Sequence, residues 1–134
     1  MPNLRAVVER FRRGWEALDA DEVLGTFSRD PSVLVWGTDR DEEWRGFEAL
    51  VEPFRTQADA FSEPRYEWEG QPEVWTSEGV GGVAGILRVS LRVGDEHVDV
   101  RMRSTFVLRL EPAGWHIVHA HFSVGHAEPV ASYE

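Results

Sequence analysis

The residues best suited to proton chemistry lie in one stretch near the end of the chain, GWHIVHAHFS, residues 114–123. Alternate residues of a strand share a face, so Ile117, His119, His121 and Ser123 are predicted to project together. An imidazole can transfer protons, hold an anion or bind a metal ion, and His-x-His on a strand is often half of a zinc site. A zinc site needs a further ligand from a loop, and we expect none. Two hydrogen-bonded structural histidines remain an alternative.

A second polar row belongs to the preceding strand. Alternation over residues 98–110 places Arg101, Arg103 and Thr105 on one face and a mainly apolar set on the other. If this strand pairs with 115–124 through the turn EPAG, the polar row could lie beside the histidines. Polar groups that converge in an apolar cavity are the usual mark of a ligand site. For Arg101 we expect a solvated position instead.

Composition excludes several classes of function. The chain has 134 residues, which suits one domain spanning 1–134, and a net charge of −10, which argues against a nucleic-acid partner. It has no lysine for a Schiff base or a P-loop, and no cysteine for a disulfide or a thiol nucleophile. No apolar run has the length of a membrane span, and the first residues lack a signal-peptide pattern. A cytoplasmic protein without a membrane partner is therefore expected.

Helices are predicted in the first half of the chain. Apolar residues recur at helical spacing over about 3–18 and 46–61, and a short helix is expected between them. Pro53 lies inside the last of these helices and predicts a kink or a lost hydrogen bond. The run VLVW, 33–36, predicts a short buried strand, and GTDRDEEW, 37–44, a polar loop.

From residue 64 onward the chain reads as four strands separated by the turn-forming segments SEG, GDE and EPAG. Such short connections predict an antiparallel meander. The order α-α-β-α-β-β-β-β predicts an α+β domain whose sheet curls around the helices into a cone with an open mouth. Only the C-terminal tail, about 127–134, is expected to be loose.

Three stretches resemble a known family: VLVWGTDRDEEWRGFEAL at 33–50, RMRSTFVLRL at 101–110 and GWHIVHAHFS. Over about residues 3–126 the chain resembles the nuclear-transport-factor-2-like superfamily, and within it the SnoaL-like branch, named for a polyketide cyclase. The resemblance implies a cystatin-like cone, with three N-terminal helices packed in a strongly curved, mainly antiparallel sheet. Because this cone hosts isomerases, cyclases, dehydratases, epoxide hydrolases and non-catalytic domains, it does not fix the function.

The resemblance also implies a set of pocket residues. The Arg-x-Thr and His-x-His rows of the family line its pocket, which implies the same for Arg103, Thr105, His119, His121 and Ser123. Either histidine would serve as the catalytic acid or base, and Arg103 would stabilise developing oxyanion charge.

A carboxylate base is implied by similarity to ketosteroid isomerase, whose relatives carry one near this end of the cone. Asp39 is the candidate, because burial in an apolar mouth makes a carboxyl group more basic. The alternative is a loop carboxylate that closes an Asx turn. The isomerase's tyrosine has no counterpart on the first helix, since Tyr66 and Tyr133 are the only tyrosines. An epoxide-hydrolase-like set would use Asp99 with Arg101 or Arg103, but the closing strand offers histidine where a second aspartate is wanted, so a dehydratase-like set fits better.

These expectations combine into one functional hypothesis with an alternative. Trp36 and Trp15 are expected to wall the cavity. We expect a cofactor-independent isomerase, cyclase or dehydratase that acts by acid–base catalysis on a small apolar or aromatic carbonyl or carboxylate compound. The alternative is a non-catalytic ligand-binding or dimeric assembly domain. Residues such as Ala84 and Ile86 place apolar groups on the second face of a long strand, which predicts a homodimer through the sheet.

Overall fold

The computed structural model describes residues 2–129 and 131, so part of the predicted C-terminal tail lies outside the described residues. The elements are α1 Leu4–Glu16, α2 Ala20–Leu24, β1 Leu34–Trp36, β2 Glu43–Arg45, α3 Glu48–Ala60, β3 Phe61–Ser77, β4 Val80–Val93, β5 Glu96–Glu111 and β6 Gly114–Ser123. The predicted helices, the short first strand and the four-strand meander are confirmed. The prediction of a loop throughout 37–44 was wrong, because Glu43 and Trp44 begin β2, which pairs with β1.

The described strands form one six-stranded sheet in the order β2-β1-β6-β5-β4-β3. Every neighbouring pair is antiparallel except β1 and β6. Gly79 and Gly94 adopt φ values of +74° and +60° in the turns that join β3 to β4 and β4 to β5. Glycine takes this conformation without steric cost, which permits the two tight connections of the meander. The predicted α+β cone with a mainly antiparallel sheet is confirmed.

The core lies between the helices and the inner face of the sheet. The inner face of β5 carries Ser104, Phe106 and Leu108, which are all buried. Phe11 of α1 packs on this face, with its ring centroid 5.1 Å from Phe106 and 5.8 Å from Phe122. Each fully buried ring of this kind contributes on the order of 2 kcal/mol or more to folding. The helices and this inner face therefore enclose the interior of the cone.

The N-terminal helix begins where a polar side chain satisfies its first amide groups. Asn3 precedes α1, and its side-chain oxygen accepts a hydrogen bond from Ala6 N at 2.9 Å. The third helix runs unbroken through Pro53, so the proline removes one backbone donor without ending the helix. None of the helices in the described ranges is both long and apolar enough to cross a membrane.

Candidate functional site

A cavity of about 220 Å³ opens at one end of the cone, between α1, α3, the β1–β2 loop and the inner face of the sheet. Its lining is dominated by aromatic rings: Phe11, Trp15, Trp44, Phe54, Phe61, Tyr66 and Phe122. The rings contact one another, with Trp15 as the common neighbour of Phe54 at 5.4 Å and Tyr66 at 6.5 Å. A cavity engineered in another protein at about 150 Å³ accepts benzene, so this one suits a ligand of one ring with a small substituent.

Glu42 is the one charged residue among those described as lining the cavity. The Gln57 side-chain amide of α3 donates to Glu42 Oε2 at 3.0 Å, and the Asp39 backbone amide donates to Oε1 at 2.9 Å. Gly37 lies beneath this carboxylate, and a Cβ built there would come within 2.6 Å of Oε1. Both oxygens are thus fixed by hydrogen bonds, while the carboxylate keeps lone pairs for a ligand.

Tyr66 of β3 supplies the phenol of the cavity. Its side chain is only 6% exposed. Burial, together with the nearby charge of Glu16, raises the pKa of Tyr66 far above its ordinary value. The hydroxyl therefore stays protonated at every physiological pH, and it can donate a hydrogen bond to a ligand oxygen.

Side chains of α1 hold the backbone at Tyr66. Because β3 is an edge strand, one row of its backbone groups has no strand partner. Arg12 Nη1 donates to the Tyr66 carbonyl at 2.7 Å, and the Tyr66 amide donates to Glu16 Oε2 at 3.0 Å. Arg12 also pairs with Glu16 at 2.9 Å and with Glu9 at 2.8 Å. We call Glu9, Arg12 and Glu16 the α1 clamp, because together they fix the strand that carries the phenol.

The predicted pocket residues of β5 and β6 lie on the other side of the sheet. Thr105 pairs with His121 and Arg103 with Ser123, while their neighbours Phe106 and Ala120 face the core. The expectation that Arg103, Thr105, His119, His121 and Ser123 face the interior of the cone is therefore wrong. These residues do converge, but on the outer face, and their chemical roles stay predictions.

A bulge in β6 explains part of this error. Val107 pairs with His119, whereas Leu108 pairs with Ile117, so Val118 is an extra residue in the register. Ile117 is fully buried, although simple alternation assigns it to the same face as the histidines. One inserted residue reverses the faces on either side of it.

Trp36 is also on the outer face, where it contacts both histidines. Its ring stands edge-on to His119 and to His121, with centroids 5.3 Å apart in each case. The expectation that Trp36 walls the cavity is therefore wrong, whereas Trp15 does line it. Trp36 Nε1 donates to Glu43 Oε1 at 2.8 Å, and His119 Nδ1 donates to the Leu34 carbonyl at 2.8 Å. Among the described residues, no three histidine, aspartate or glutamate side chains form a group able to share a metal ion.

Asp39 is exposed and is not among the residues that line the cavity. Its carbonyl accepts from the Glu42 amide at 2.9 Å, and its own amide donates to the Glu42 side chain. Asp39 therefore shapes the loop, and the loop carboxylate at the cavity is Glu42. Sequence reasoning missed Glu42 because three of the four residues at 39–42 are acidic and no periodicity distinguishes them. Tyr66 entered the sequence analysis only as a tyrosine that does not lie on the first helix.

Comparison with known proteins identifies the family. A family model described as the SnoaL-like domain matches residues 4–127. An NTF2-like superfamily protein from Salmonella enterica serovar Typhimurium aligns with a TM-score of 0.84 and 17% identity, covering 96% of this chain and 93% of that one. A ketosteroid isomerase-like protein from Erwinia carotovora aligns at 0.76 and 18%, covering 94% and 95%.

An uncharacterised protein with a cystatin-like fold from Caulobacter vibrioides aligns with a TM-score of 0.78 and 15% identity, covering 92% of this chain and 88% of that one. No protein with a curated description matches the chain. At these identities the solved structures show a shared fold, and the fold alone does not give an activity. The family match extends from α1 to just beyond β6, and on that evidence the chain belongs to the SnoaL-like domain family.

Proposed function

We propose that the chain is a cofactor-independent isomerase or dehydratase that moves a proton on a small carbonyl compound bound in the cone. The observation that carries the proposal is Glu42, a carboxylate fixed by Gln57 and placed at a mainly apolar cavity that also holds a buried phenol. A base and a hydrogen-bond donor at one apolar site are the two groups that enolisation requires. The structural likeness to a ketosteroid isomerase-like protein is consistent with this chemistry.

The proposed reaction begins when a Glu42 oxygen removes a proton from the carbon next to the carbonyl. The electron pair of the broken C–H bond forms the enolate double bond, and the negative charge moves to the carbonyl oxygen. Tyr66 donates a hydrogen bond to that oxygen, where it is worth more than in water because the site is apolar. The protonated Glu42 then returns the proton to a different carbon, which is isomerisation. Alternatively, the enolate electron pair expels the β-hydroxyl group, which takes the proton from Glu42 and leaves as water, and this is dehydration.

Exchange of α-protons for deuterium tests the first step without knowledge of the natural substrate. Phenylacetone in D2O, followed by NMR, reports each proton removed. We expect the wild-type protein to accelerate exchange, and Glu42→Gln to reduce the acceleration by about 10²–10⁴-fold, the usual contribution of a general base. Tyr66→Phe should cause a smaller loss and leave binding of phenylacetone intact. Phenylacetone that binds without exchange would leave a non-catalytic ligand-binding domain instead.

His121→Gln is the matched control, because it changes an exposed residue on the opposite face of the sheet. His121 was the rival base, and we expect this variant to exchange protons at the wild-type rate. If His121→Gln abolishes exchange while Glu42→Gln does not, the chemistry belongs to the outer face and the proposal is wrong.

We also propose that the chain forms a homodimer through the outer face of the sheet and that it is a cytoplasmic protein. The centre of that face carries small or apolar residues, Gly82, Ala84, Ile86 and Val107, and the Trp75 side chain beside Gly82 is 58% exposed. Contiguous exposed apolar groups of this kind favour association. Sedimentation should show a dimer for the wild-type protein and a folded monomer for Ile86→Glu. A monomeric wild-type protein would contradict this part of the proposal.

A further inference from the structure

The charged groups at the cavity are all of one sign. Apart from Glu42, none of the described residues that line the cavity is charged. Most are aromatic or aliphatic, such as Met102, and Thr38 and Gln57 are polar but neutral. Tyr66 is held in its neutral form by burial. Arg103, which was expected to stabilise oxyanion charge in the cavity, lies on the outer face beside Ser123. A ligand in the cone thus meets one negative charge and no positive charge from the lining residues.

This arrangement treats neutral and anionic ligands of the same shape differently. A carboxylate that enters an apolar cavity loses hydration and must regain it from a cation or from several donors. The charge of Glu42 adds repulsion, which at separations of about 5–10 Å and an effective dielectric constant of about 20 is worth tenfold or more in affinity. The overall charge of −10 acts in the same direction.

We infer that Glu42 is a specificity residue that admits uncharged carbonyl ligands, such as ketones, esters and amides, and excludes carboxylates of equal size. This inference rests on the proposed function for the carbonyl class of the ligand. From the sequence, either a carbonyl or a carboxylate ligand was expected, and this inference excludes the carboxylates. It also implies that a reaction which converts the bound ligand to an acid would expel its own product.

Phenylacetamide and phenylacetate form a matched pair, because they differ little in shape and by one unit of charge. Isothermal titration at pH 7 should give the wild-type protein at least tenfold higher affinity for the amide. Glu42→Gln keeps the size of the side chain and removes its charge, so the ratio should fall about tenfold through a gain in phenylacetate affinity, while the hydration penalty of the carboxylate remains. His121→Gln should keep the wild-type ratio, and near-ultraviolet circular dichroism should show that each variant keeps its tertiary structure.

Three results would overturn the inference. They are equal affinities of the wild-type protein for the two ligands, no binding of phenylacetamide up to millimolar concentration, or an unchanged ratio in a folded Glu42→Gln variant. The α-proton exchange assay fails or succeeds independently of this ratio. Loss of exchange in Glu42→Gln with equal affinities would support the enzyme and refute the charge selection, and the reverse pattern would do the opposite.

Discussion

Replacement of Arg12 by methionine tests the α1 clamp, the ion-pair group that fixes β3. Arg12 makes three contacts, to Glu9 at 2.8 Å, Glu16 at 2.9 Å and the Tyr66 carbonyl at 2.7 Å. Exposed ion pairs contribute about 0–1 kcal/mol, whereas breaking a buried pair costs about 3–5 kcal/mol. The side chains of Arg12, Glu9 and Glu16 are 17%, 24% and 32% exposed, which places the clamp between these limits.

We therefore expect Arg12→Met to lower the free energy of unfolding by about 2–3 kcal/mol at pH 7. Methionine keeps most of the apolar length of the arginine stem, so the loss reports the guanidinium. Urea denaturation, extrapolated to water, gives the value. Arg13→Met is the control on the exposed side of the same helix, with an expected change below about 0.5 kcal/mol.

The pH dependence of this loss follows from Glu9. Burial alone would raise the pKa of Glu9, but hydrogen bonds from Arg12 and Trp68 and the charges of Arg12 and Arg13 lower it below 4.5 overall. A lowered folded-state pKa stabilises the protein above the unfolded value, and this stabilisation is lost as the pH falls through the folded value. The difference between wild type and Arg12→Met should thus be largest near neutrality and shrink below about pH 4. Equal losses for Arg12→Met and Arg13→Met, or a loss that does not depend on pH, would refute the clamp.

Two further predictions concern other contacts of the fold. A Cβ at Gly14 would lie 2.7 Å from Cγ2 of the fully buried Val23. Gly14→Ala should therefore lower the free energy of unfolding by about 1–3 kcal/mol, although alanine has the better helix propensity. Urea denaturation should show that a second substitution, Val23→Ala, recovers part of this loss. Burial would raise the pKa of Glu111, but hydrogen bonds from Ser28 and Arg109 and the charges of His116 and Arg109 lower it overall. Glu111→Gln should therefore cost about 1–2 kcal/mol at pH 7, and the cost should shrink as the pH falls through the lowered folded-state pKa of Glu111. A cost that stays constant as the solution is acidified would contradict the assignment.

The sequence predicted those features that depend on local periodicity. Helical spacing gave α1 and α3 to within a few residues, and the runs of alternating residues gave the four long strands. It also predicted that the Arg-x-Thr and His-x-His rows lie side by side, which Thr105 and His121 confirm as direct partners. Periodicity groups the residues that share one face of a strand, but it does not show which of the two faces points toward the core. The apolar row of β5 packs on the helices, so the polar row beside it must face outward.

The candidate site could not be read from the sequence, because its polar groups come from non-periodic positions. Glu42 lies in a loop whose conformation depends on the pairing of three residues in β2 with β1. Gln57 comes from α3 and Tyr66 from the edge strand β3, and only the tertiary fold brings them to one cavity. Glu42 and Tyr66 have charged residues on both sides in the sequence, so composition does not distinguish them.

The two faces of the sheet differ in what a catalytic group could accomplish there. His121 is exposed, and the dielectric constant of water weakens any charge that it stabilises. In the proposed function, Glu42 and Tyr66 would act across a mainly apolar cavity, where a hydrogen bond to developing charge is several times stronger than in water. Under the proposed function, the conspicuous histidines of β6 draw attention away from the glutamate at the cavity, which no pattern in the sequence marks. The comparison of Glu42→Gln with His121→Gln in the deuterium-exchange assay therefore decides between the two faces of the sheet.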